Sequence, residues 1–398
     1  LPVGRYVTFI NDEPVILEDF DQINNFRLSA IHHLDISYSV EKQHKKFKST
    51  LVFGVYNLYN RFNPLMAFIG VHFKGAFSYL VPFYAFVFLP ILETLFPIDE
   101  RNLEKDDIRS KLKNKLFDWL LYFNLPVVFG LVVYTLNEIV SKPIEVYEFV
   151  GLIFSIGIVL AINGINVAHE LGHRQSTNER FLGKALLLPS FYMHFFIEHN
   201  YGHHLHAATP EDPATARYNQ SVYSFWLTST VRQYFSAWRI QKKLLKNTNQ
   251  SFLSIKNDML WYTIFQILYL FVVFLLFSKT GFIFALASGI VGFVLLETVN
   301  YIEHYGLLRL QTKSGRYERV REMHSWNSNH VIGRIVLYEL TRHSDHHYKS
   351  SKKYQILDCH DESPQMPFGY PTSMVLAMLP PLWFKIMNKR VPKEMILN

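Results

Sequence analysis

The chain of 398 residues is 49% hydrophobic and 16% aromatic, only 18% of it is charged, and its formal net charge is +7. Typical soluble proteins carry about 25% charged residues, and here the apolar residues form long blocks, which is typical of a polytopic membrane protein. Cys359 is the single cysteine, which excludes a disulfide framework, a cysteine-ligated zinc module and a rubredoxin-type or iron–sulfur domain, and no basic cluster with interleaved aromatic residues indicates nucleic-acid binding.

Residues 1–48 have a mixed composition, with a short strand-like run from Tyr6 to Ile10, and they end in a basic patch. We predict that they form a cytoplasmic N-terminal tail. The remainder, residues 49–398, is predicted to form a single integral-membrane domain of all-α class. Apolar blocks of about 20 residues predict about six transmembrane helices. They lie at about 50–72, 76–97, 118–136, 148–168, 259–277 and 281–302.

Some apolar segments fit a membrane span less well. Arg61 falls near the middle of the first predicted span, where a charge is costly. The last two spans are separated only by Ser278-Lys279-Thr280. The stretches Ala185 to Ile197 and Pro371 to Met387 are too short to cross a bilayer, and Pro380-Pro381 interrupts the second. The second is expected to lie at the membrane interface or to pack against protein.

The distribution of Lys and Arg predicts the orientation in the membrane. Nearly all of them lie in four segments, which are 42–48, 99–117, 169–257 and the tail after 303. The positive-inside rule places these segments in the cytoplasm, together with both termini. Six spans agree with this orientation, because two cation-rich segments flank residues 49–98 and require an even number of spans between them.

Three short segments concentrate histidine, namely HELGH from His169 to His173, EHNYGHH from Glu198 to His204, and HSDHH from His343 to His347. Neutral imidazole is the commonest metal ligand, and residues three or four apart share one helix face. Each segment is therefore spaced to hold an ion. Eight histidines exceed the needs of one tetrahedral zinc, which predicts two ions. Nitrogen-rich sites with open positions suit iron that binds dioxygen.

Two other functions remain open on this pattern. HELGH fits the H-E-x-x-H pattern of zinc proteases, with Glu170 as the general base, but the other two segments are then unexplained. A histidine-rich metal transporter or sensor, without enzymatic activity, is expected to place ionisable ligands inside the spans. Here the histidines cluster beyond the span ends, which favours an enzymatic metal centre.

Several longer motifs together resemble the membrane-bound alkane 1-monooxygenase family. They are HELGHR, HFFIEHNYGHHLHAATPEDPATAR, NYIEHYGLLR, HSWNSNH, and LTRHSDHH followed by DESPQ-P-GYP. The resemblance covers approximately residues 50–390. Fatty-acid desaturases and sterol or carotenoid hydroxylases share the three histidine segments but lack NYIEHYG and HSWNSN. Xylene-type monooxygenases are nearer relatives, so the alternatives are a xylene-type methyl hydroxylase or a fatty-acid desaturase or hydroxylase with the same centre.

The resemblance implies a cytoplasmic, histidine-rich helical cap that holds a di-iron site. Its nine ligands, matched position by position, are His169, His173, His199, His203, His204, His304, His343, His346 and His347. His304 enters this set only through the NYIEHYG motif. His324 and His330 are predicted to be structural or to support ligands, whereas His194 is predicted to be a packing residue and His206 is not predicted to be a ligand. No role is predicted for His32, His33, His44, His72 and His360.

Acidic residues beside the histidine segments are predicted to support the centre. A carboxylate that accepts the outer ring N–H of a ligand histidine fixes its tautomer and orientation; the alternative is helix capping or pairing with arginine. The candidates are Glu170, Glu198, Asp212, Glu303 and Asp345. The orienting role is favoured for Asp345, because it lies between ligands. No general base is assigned.

The resemblance also implies the reaction and its partners. The expected activity is hydroxylation of the terminal carbon of alkanes, with two irons as cofactor and O2 as co-substrate. Electrons are expected to come from rubredoxin, which an NAD(P)H-dependent rubredoxin reductase reduces. The alkane is expected to enter from the bilayer between the spans. The expected location is the bacterial inner membrane, with both termini and the di-iron site on the cytoplasmic side.

Overall fold

The structure, a computed structural model, describes residues 4–10, 13–19, 36–43, 48–55, 62–96 and 98–396. It divides the chain into two units, Leu1–Leu58 and Tyr59–Asn398. The predicted boundary after residue 48 falls at the start of a strand, so the division lies further along the chain than the basic patch suggests.

The N-terminal unit contains two antiparallel hairpins. β1 (Gly4–Ile10) pairs with β2 (Glu13–Asp19), and β3 (Ile36–Gln43) pairs with β4 (Lys48–Val55). β1 confirms the strand-like run, whereas the other three strands were not predicted. The sequence of β3 alternates Ile36, Tyr38 and Val40 with polar residues, which is the period of a strand with two different faces.

The second unit is helical in its described residues. In chain order its α-helices are α1 (Phe62–Phe73), α2 (Leu80–Phe83), α3 (Leu89–Leu95), α4 (Lys105–Lys113), α5 (Leu116–Tyr122), α6 (Asn124–Ser141), α7 (Val146–Val159), α8 (Asn166–Gly172), α9 (Thr177–Leu186), α10 (Phe195–Glu198), α11 (His204–His206), α12 (Val222–Asn247), α13 (Asp258–His304), α14 (Val331–Val336), α15 (His343–Tyr348), α16 (Tyr370–Ala377) and α17 (Pro380–Met387). π-helical turns occupy Tyr84–Phe88, Leu160–Ile165 and His199–His203, and 3-10 turns occupy Gly75–Tyr79, Leu188–Ser190, Glu322–His324, Tyr354–Ile356 and Lys393–Met395.

Four helical stretches among the described residues are long and apolar enough to cross a membrane, which identifies a membrane protein. They are Gly75–Leu95, Leu116–Ser141, Val146–Gly172 and Asp258–His304. The last has 47 residues and is broken at Phe277 and Ser278, where Ser278 has a φ of 59°. This break confirms the predicted separation of two apolar segments at Ser278. Neither Ala185 to Ile197 nor Pro371 to Met387 forms such a stretch, as predicted.

The predicted span at 50–72 is wrong in extent. β4 occupies its first residues, and α1 has only 12 residues, which corresponds to about 18 Å against the ~30 Å of a bilayer core. Arg61 lies outside the described residues. Lys74 and Gly75, both with a φ of 55°, turn the chain after α1, and Gly70 packs against the backbone of Phe77. The apolar residues before 62 therefore belong in part to a strand.

Small residues bring the spans into close contact. A Cβ atom on Gly157 of α7 would lie 2.4 Å from Cγ1 of Val291 and 3.1 Å from the carbonyl oxygen of Ser288, both in α13. Close approach at small residues is the usual basis of helix packing in membranes. Polar side chains inside the spans are paired as well: Asn163 donates to Asn124, whose amide group donates to Tyr338.

The C-terminal region packs against the end of α13 that is predicted to be cytoplasmic. A buried cluster that includes Tyr301, Tyr370 and Trp383 surrounds this end. The backbone N–H of Trp326 donates to the carbonyl of Glu303 at 2.8 Å, and its indole N–H donates to the carbonyl of Tyr305 at 2.9 Å. The segment HSWNSN therefore holds the segment NYIEHYG in position.

Gly157→Ala is expected to destabilise the protein by roughly 1–3 kcal/mol, because the added methyl group overlaps Val291 at a packed helix contact. The free energy of unfolding in detergent micelles measures this effect. Gly130→Ala is the matched control, since a Cβ atom at Gly130 of α6 meets nothing within 4 Å; it is expected to be neutral or to stabilise by up to about 1 kcal/mol. Equal effects of the two substitutions would contradict the packing argument.

Candidate metal centre

The nine predicted histidines come together in two groups. His169, His173, His199, His204 and His346 form the five-histidine group, and His203, His304, His343 and His347 form the four-histidine group. Within each group, one ring nitrogen from every member lies within 4.8 Å of the others. The groups adjoin, since the rings of His204 and His347 are 4.6 Å apart between centroids.

Local helix geometry decides which histidines share a group. The spacing of four predicted that His199 and His203 would share an ion, but this segment is a π-helical turn, in which residues five apart align. His199 therefore joins His204, and His203 joins the other group. The third segment is divided too, because His343 and His347 share a face of α15 and His346 points to the five-histidine group. The histidines of the second and third segments are therefore divided between the two groups.

Nitrogen atoms within the five-histidine group are too close to be satisfied by hydrogen bonds alone. The Nε2 atoms of His173, His199 and His204 are 3.0 to 3.2 Å apart in all three pairs. A nitrogen of a neutral imidazole either donates or accepts. Three mutually adjacent nitrogens cannot alternate these roles, so at least one pair must repel. A cation between them removes this conflict.

The same distances fit metal coordination. Two nitrogens at right angles on an ion, with bonds of about 2.1 Å, are about 3.0 Å apart, whereas the tetrahedral angle separates them by about 3.4 Å. In the four-histidine group, Nε2 of His203 is 3.1 Å from that of His347, and Nε2 of His343 is 3.2 Å from that of His304. Buried ring nitrogens of His169 and His346 also have no hydrogen-bond partner among the described residues. The donor set therefore fits a metal centre of higher coordination than tetrahedral zinc.

Burial keeps the ligand candidates in the neutral form. Burial, and secondly the neighbouring histidines, lower the pKa of His199, His346 and His347 well below the usual range. The same causes lower the pKa of His173 and His343. Neutral imidazole is the form that binds metal, so no deprotonation has to precede binding near neutral pH.

Two of the five predicted carboxylates contact rings of the nine clustered histidines. Asp212 lies 2.9 Å from Nδ1 of His203, on the side opposite Nε2, which is the predicted orienting contact. Glu303 approaches His343 differently: its Oε2 is 3.3 Å from Nε2, and Tyr370 donates a hydrogen bond to its Oε1 at 2.8 Å. The family motif GYP contains Tyr370, but its contact with Glu303 was not predicted.

The other carboxylates have different partners. Asp345 binds His360 at 2.8 Å and Lys352 at 2.6 Å, and it accepts from the backbone N–H of Asp358. It therefore anchors the following loop to α15, and the prediction that it orients a ligand ring is wrong. His360, for which no role was predicted, is part of this anchor.

Glu170 has the alternative role considered for these acidic residues, which is pairing with arginine. It pairs with Arg174 at 2.8 Å and accepts from the backbone N–H of Tyr354. Arg174 also contacts Asp118, which binds Lys353. This ion-pair network joins two spans to the C-terminal region.

Burial raises the pKa of Glu198 well above the usual range, with a further rise from Asp212.

The remaining histidines near the centre lie outside both groups. His324 is buried, accepts from the backbone N–H of Arg321 and faces Glu318, while His330 contacts Ser328. In these contacts both histidines bind residues outside the two histidine groups. His194 packs against the rings of Tyr192 and Tyr234, as predicted, and His206 pairs with Glu211.

Two adjoining apolar cavities, which together we call the apolar passage, extend from the side of the helices to Glu303, beside His343 of the four-histidine group. The outer cavity, of about 440 Å³, includes Phe154 and Ile290, whose side chains are exposed on the span surfaces. The inner cavity, of about 80 Å³, reaches Glu303. Both cavities share wall residues, so they lie side by side. The shared residues are Phe86, Ile158, Leu295 and Met374.

Comparison with known proteins gives a consistent result. A family model described as fatty acid desaturase matches residues 147–372. Alkane 1-monooxygenase 2 of Alcanivorax borkumensis is 38% identical over 82% of this chain and 87% of the relative. Alkane 1-monooxygenase 2 of Pseudomonas aeruginosa is 36% identical over 81% of this chain and 86% of the relative. The hydroxylase component of xylene/toluene monooxygenase from Pseudomonas putida is 29% identical over 81% of this chain and 84% of the relative.

His346→Ala and His304→Ala, one from each group, are each expected to lower the bound metal by about one ion per protein, because each removes a ligand from a buried site. Metal analysis of the purified protein measures this loss. His206→Ala is the matched control: it lies two residues from His204, outside both groups, and pairs with Glu211. Full metal content in either ligand variant would contradict the assignment of that histidine.

Proposed function

Since the chain belongs to the alkane 1-monooxygenase family, within the wider fatty acid desaturase family, we propose that it hydroxylates the terminal carbon of alkanes to 1-alkanols with O2. The observation that carries this proposal is an apolar passage that ends at Glu303, beside His343 of one of the two all-nitrogen groups. The passage suits a substrate without polar groups. A xylene-type methyl hydroxylase is less well supported, since that relative has lower identity.

We propose that the two groups hold two iron ions, with the nine histidines as ligands. Five donors in one group and nitrogen–nitrogen distances near 3.0 Å support an ion of higher coordination than tetrahedral zinc. A bound di-iron centre supplies the activation of dioxygen that attack on an unactivated C–H bond requires. The H-E-x-x-H protease reading loses support, because Glu170 is engaged by Arg174 and Tyr354 rather than free to act on water.

The protein's own residues position the alkane and exclude water. Leu295, Met374 and Ile158 form an apolar wall that continues from the lipid-facing cavity to the inner one. An alkane gains about 0.8 kcal/mol for each CH₂ group removed from water, but it gains little on moving from lipid into such a passage. Selection therefore rests on shape. Asp212 holds the ring of His203, and Glu303 faces His343 at the inner end.

Electrons are proposed to come from a soluble redox partner, rubredoxin, which receives them from an NAD(P)H-dependent rubredoxin reductase. The five-histidine group contains partly exposed members, His173 and His204, whereas the four-histidine group is buried. Tyr201 and Leu205, next to these residues, are exposed. This side is where a protein donor can come nearest to the centre. The excess of Lys and Arg in the flanking segments supports a cytoplasmic location at the bacterial inner membrane.

The activity is tested with purified protein, rubredoxin, rubredoxin reductase, NADH and octane. We expect oxygen-dependent formation of 1-octanol and about two irons per chain, and omission of rubredoxin is expected to abolish the product. p-Xylene serves as the competing substrate. A protein that hydroxylates xylene but no alkane, or that binds one zinc and no iron, would exclude the proposal.

Met374→Trp tests the passage. Met374 lies in the wall shared by the two cavities, so the larger indole narrows it, and turnover of long alkanes is expected to fall by about tenfold or more relative to short ones. Product analysis over a series of chain lengths measures this, with iron content as a check on folding. Leu379→Trp is the control, because Leu379 is exposed and lines neither cavity. An unchanged chain-length profile for Met374→Trp would argue for another route.

A further inference from the structure

Glu303 is the last residue before His304 and shares the final turn of α13 with it. It is almost fully buried, and it lies in the wall of the inner apolar cavity together with Asn166 and Tyr370. A carboxylate inside a membrane protein is costly and usually marks a functional position. Burial disfavours the charged form of this group, and Tyr370 supplies only a neutral hydrogen bond, so a cation beside it would stabilise the carboxylate.

The contact with His343 places this carboxylate on the inner side of the ring. Nε2 of His343 faces Nε2 of His304 at 3.2 Å, so it is the nitrogen that points into the four-histidine group. Oε2 of Glu303 lies 3.3 Å from that same atom. An orienting carboxylate binds the other ring nitrogen, as Asp212 does at Nδ1 of His203, whose Nε2 faces His347. Glu303 therefore stands among the donor atoms and not behind a ring.

We propose that the carboxylate of Glu303 is an oxygen ligand of the metal ion in the four-histidine group. The inference rests on the proposed di-iron centre and adds an oxygen donor to its nine histidines. With Glu303 each group has five donors, because the other already contains five histidines. Tyr370 donates a hydrogen bond to Oε1, and the backbone N–H of Trp326 donates to the backbone carbonyl of Glu303. These two contacts fix the orientation of the side chain and therefore of Oε2.

Charge balance supports the same assignment. Nine neutral imidazoles compensate none of the charge of two divalent ions, and burying uncompensated charge is strongly unfavourable. Asp212 compensates part of it through His203, at the far side of the ring. Glu303 is the carboxylate that reaches the metal-facing side. Among the ten proposed ligands it is the one that lines the inner apolar cavity.

The variant Glu303→Gln distinguishes between two roles of Glu303, that of a metal ligand and that of a hydrogen-bond acceptor. The glutamine amide keeps the shape and can still accept from a ring N–H, but it is a neutral and much weaker donor to iron. We expect the variant to retain about one iron per chain instead of about two. We also expect Co²⁺ titration of metal-free protein to show one of two sites weakened by at least about tenfold. Mössbauer spectra of ⁵⁷Fe-loaded protein are expected to lose or shift one of two iron components.

Two further variants serve as controls for folding and for the carboxylate itself. Glu93→Gln changes another buried glutamate of the spans, which contacts Thr372 and is absent from both histidine groups; it is expected to keep both ions. Tyr370→Phe keeps the carboxylate and is expected to keep both ions as well. Wild-type protein that binds fewer than two ions would overturn the di-iron proposal itself. Wild-type protein with two irons and a Glu303→Gln variant with the same iron content, Co²⁺ affinity and Mössbauer spectrum would overturn this inference alone.

Discussion

Mutual crowding of imidazole nitrogens is the interaction on which the rest of this structure depends. Within the five-histidine group, three Nε2 atoms lie about one hydrogen-bond length from one another, and alternating donors and acceptors cannot satisfy all of them. Burial holds the rings neutral. Such a cluster is stable with cations between the rings, and the polypeptide has to hold the rings in place from four separate segments.

The fold provides this hold mainly through residues that are not ligands. His169 lies in the last turn of the span Val146–Gly172, and α13 ends in His304. The C-terminal region binds the end of α13 through Trp326, and its residues Lys353 and Tyr354 bind the Asp118–Arg174–Glu170 network. Asp345, His360 and Lys352 fasten α15 to the loop after it. A metal centre assembled from distant segments needs such fixed neighbours, because ligand geometry is set by the atoms that orient each ring.

Because the centre lies at the span ends, one side of it faces apolar surroundings and the other side faces water. On one side an apolar passage, lined by residues of the spans and of α16, opens where side chains face lipid. On the other side the five-histidine group has partly exposed members. A lipid-soluble substrate and a water-soluble electron donor can therefore reach neighbouring metal positions without sharing a route. Glu303 lies at the meeting point of passage and ligands.

Local sequence determined the spans after residue 75, the break at Ser278 and eight of the nine clustered histidines, because hydropathy, helix-breaking geometry and motif spacing are properties of neighbouring residues. The ninth, His304, was identified only by the resemblance to a family motif. Only the tertiary structure decided how those histidines are shared. The π-helical turn joins His199 to His204, and His346 faces away from His343 and His347. The partners of Asp345 come from the loop after α15, and those of Glu303 come from distant segments. No periodicity in the sequence encodes which nitrogen of an imidazole ring a carboxylate will contact.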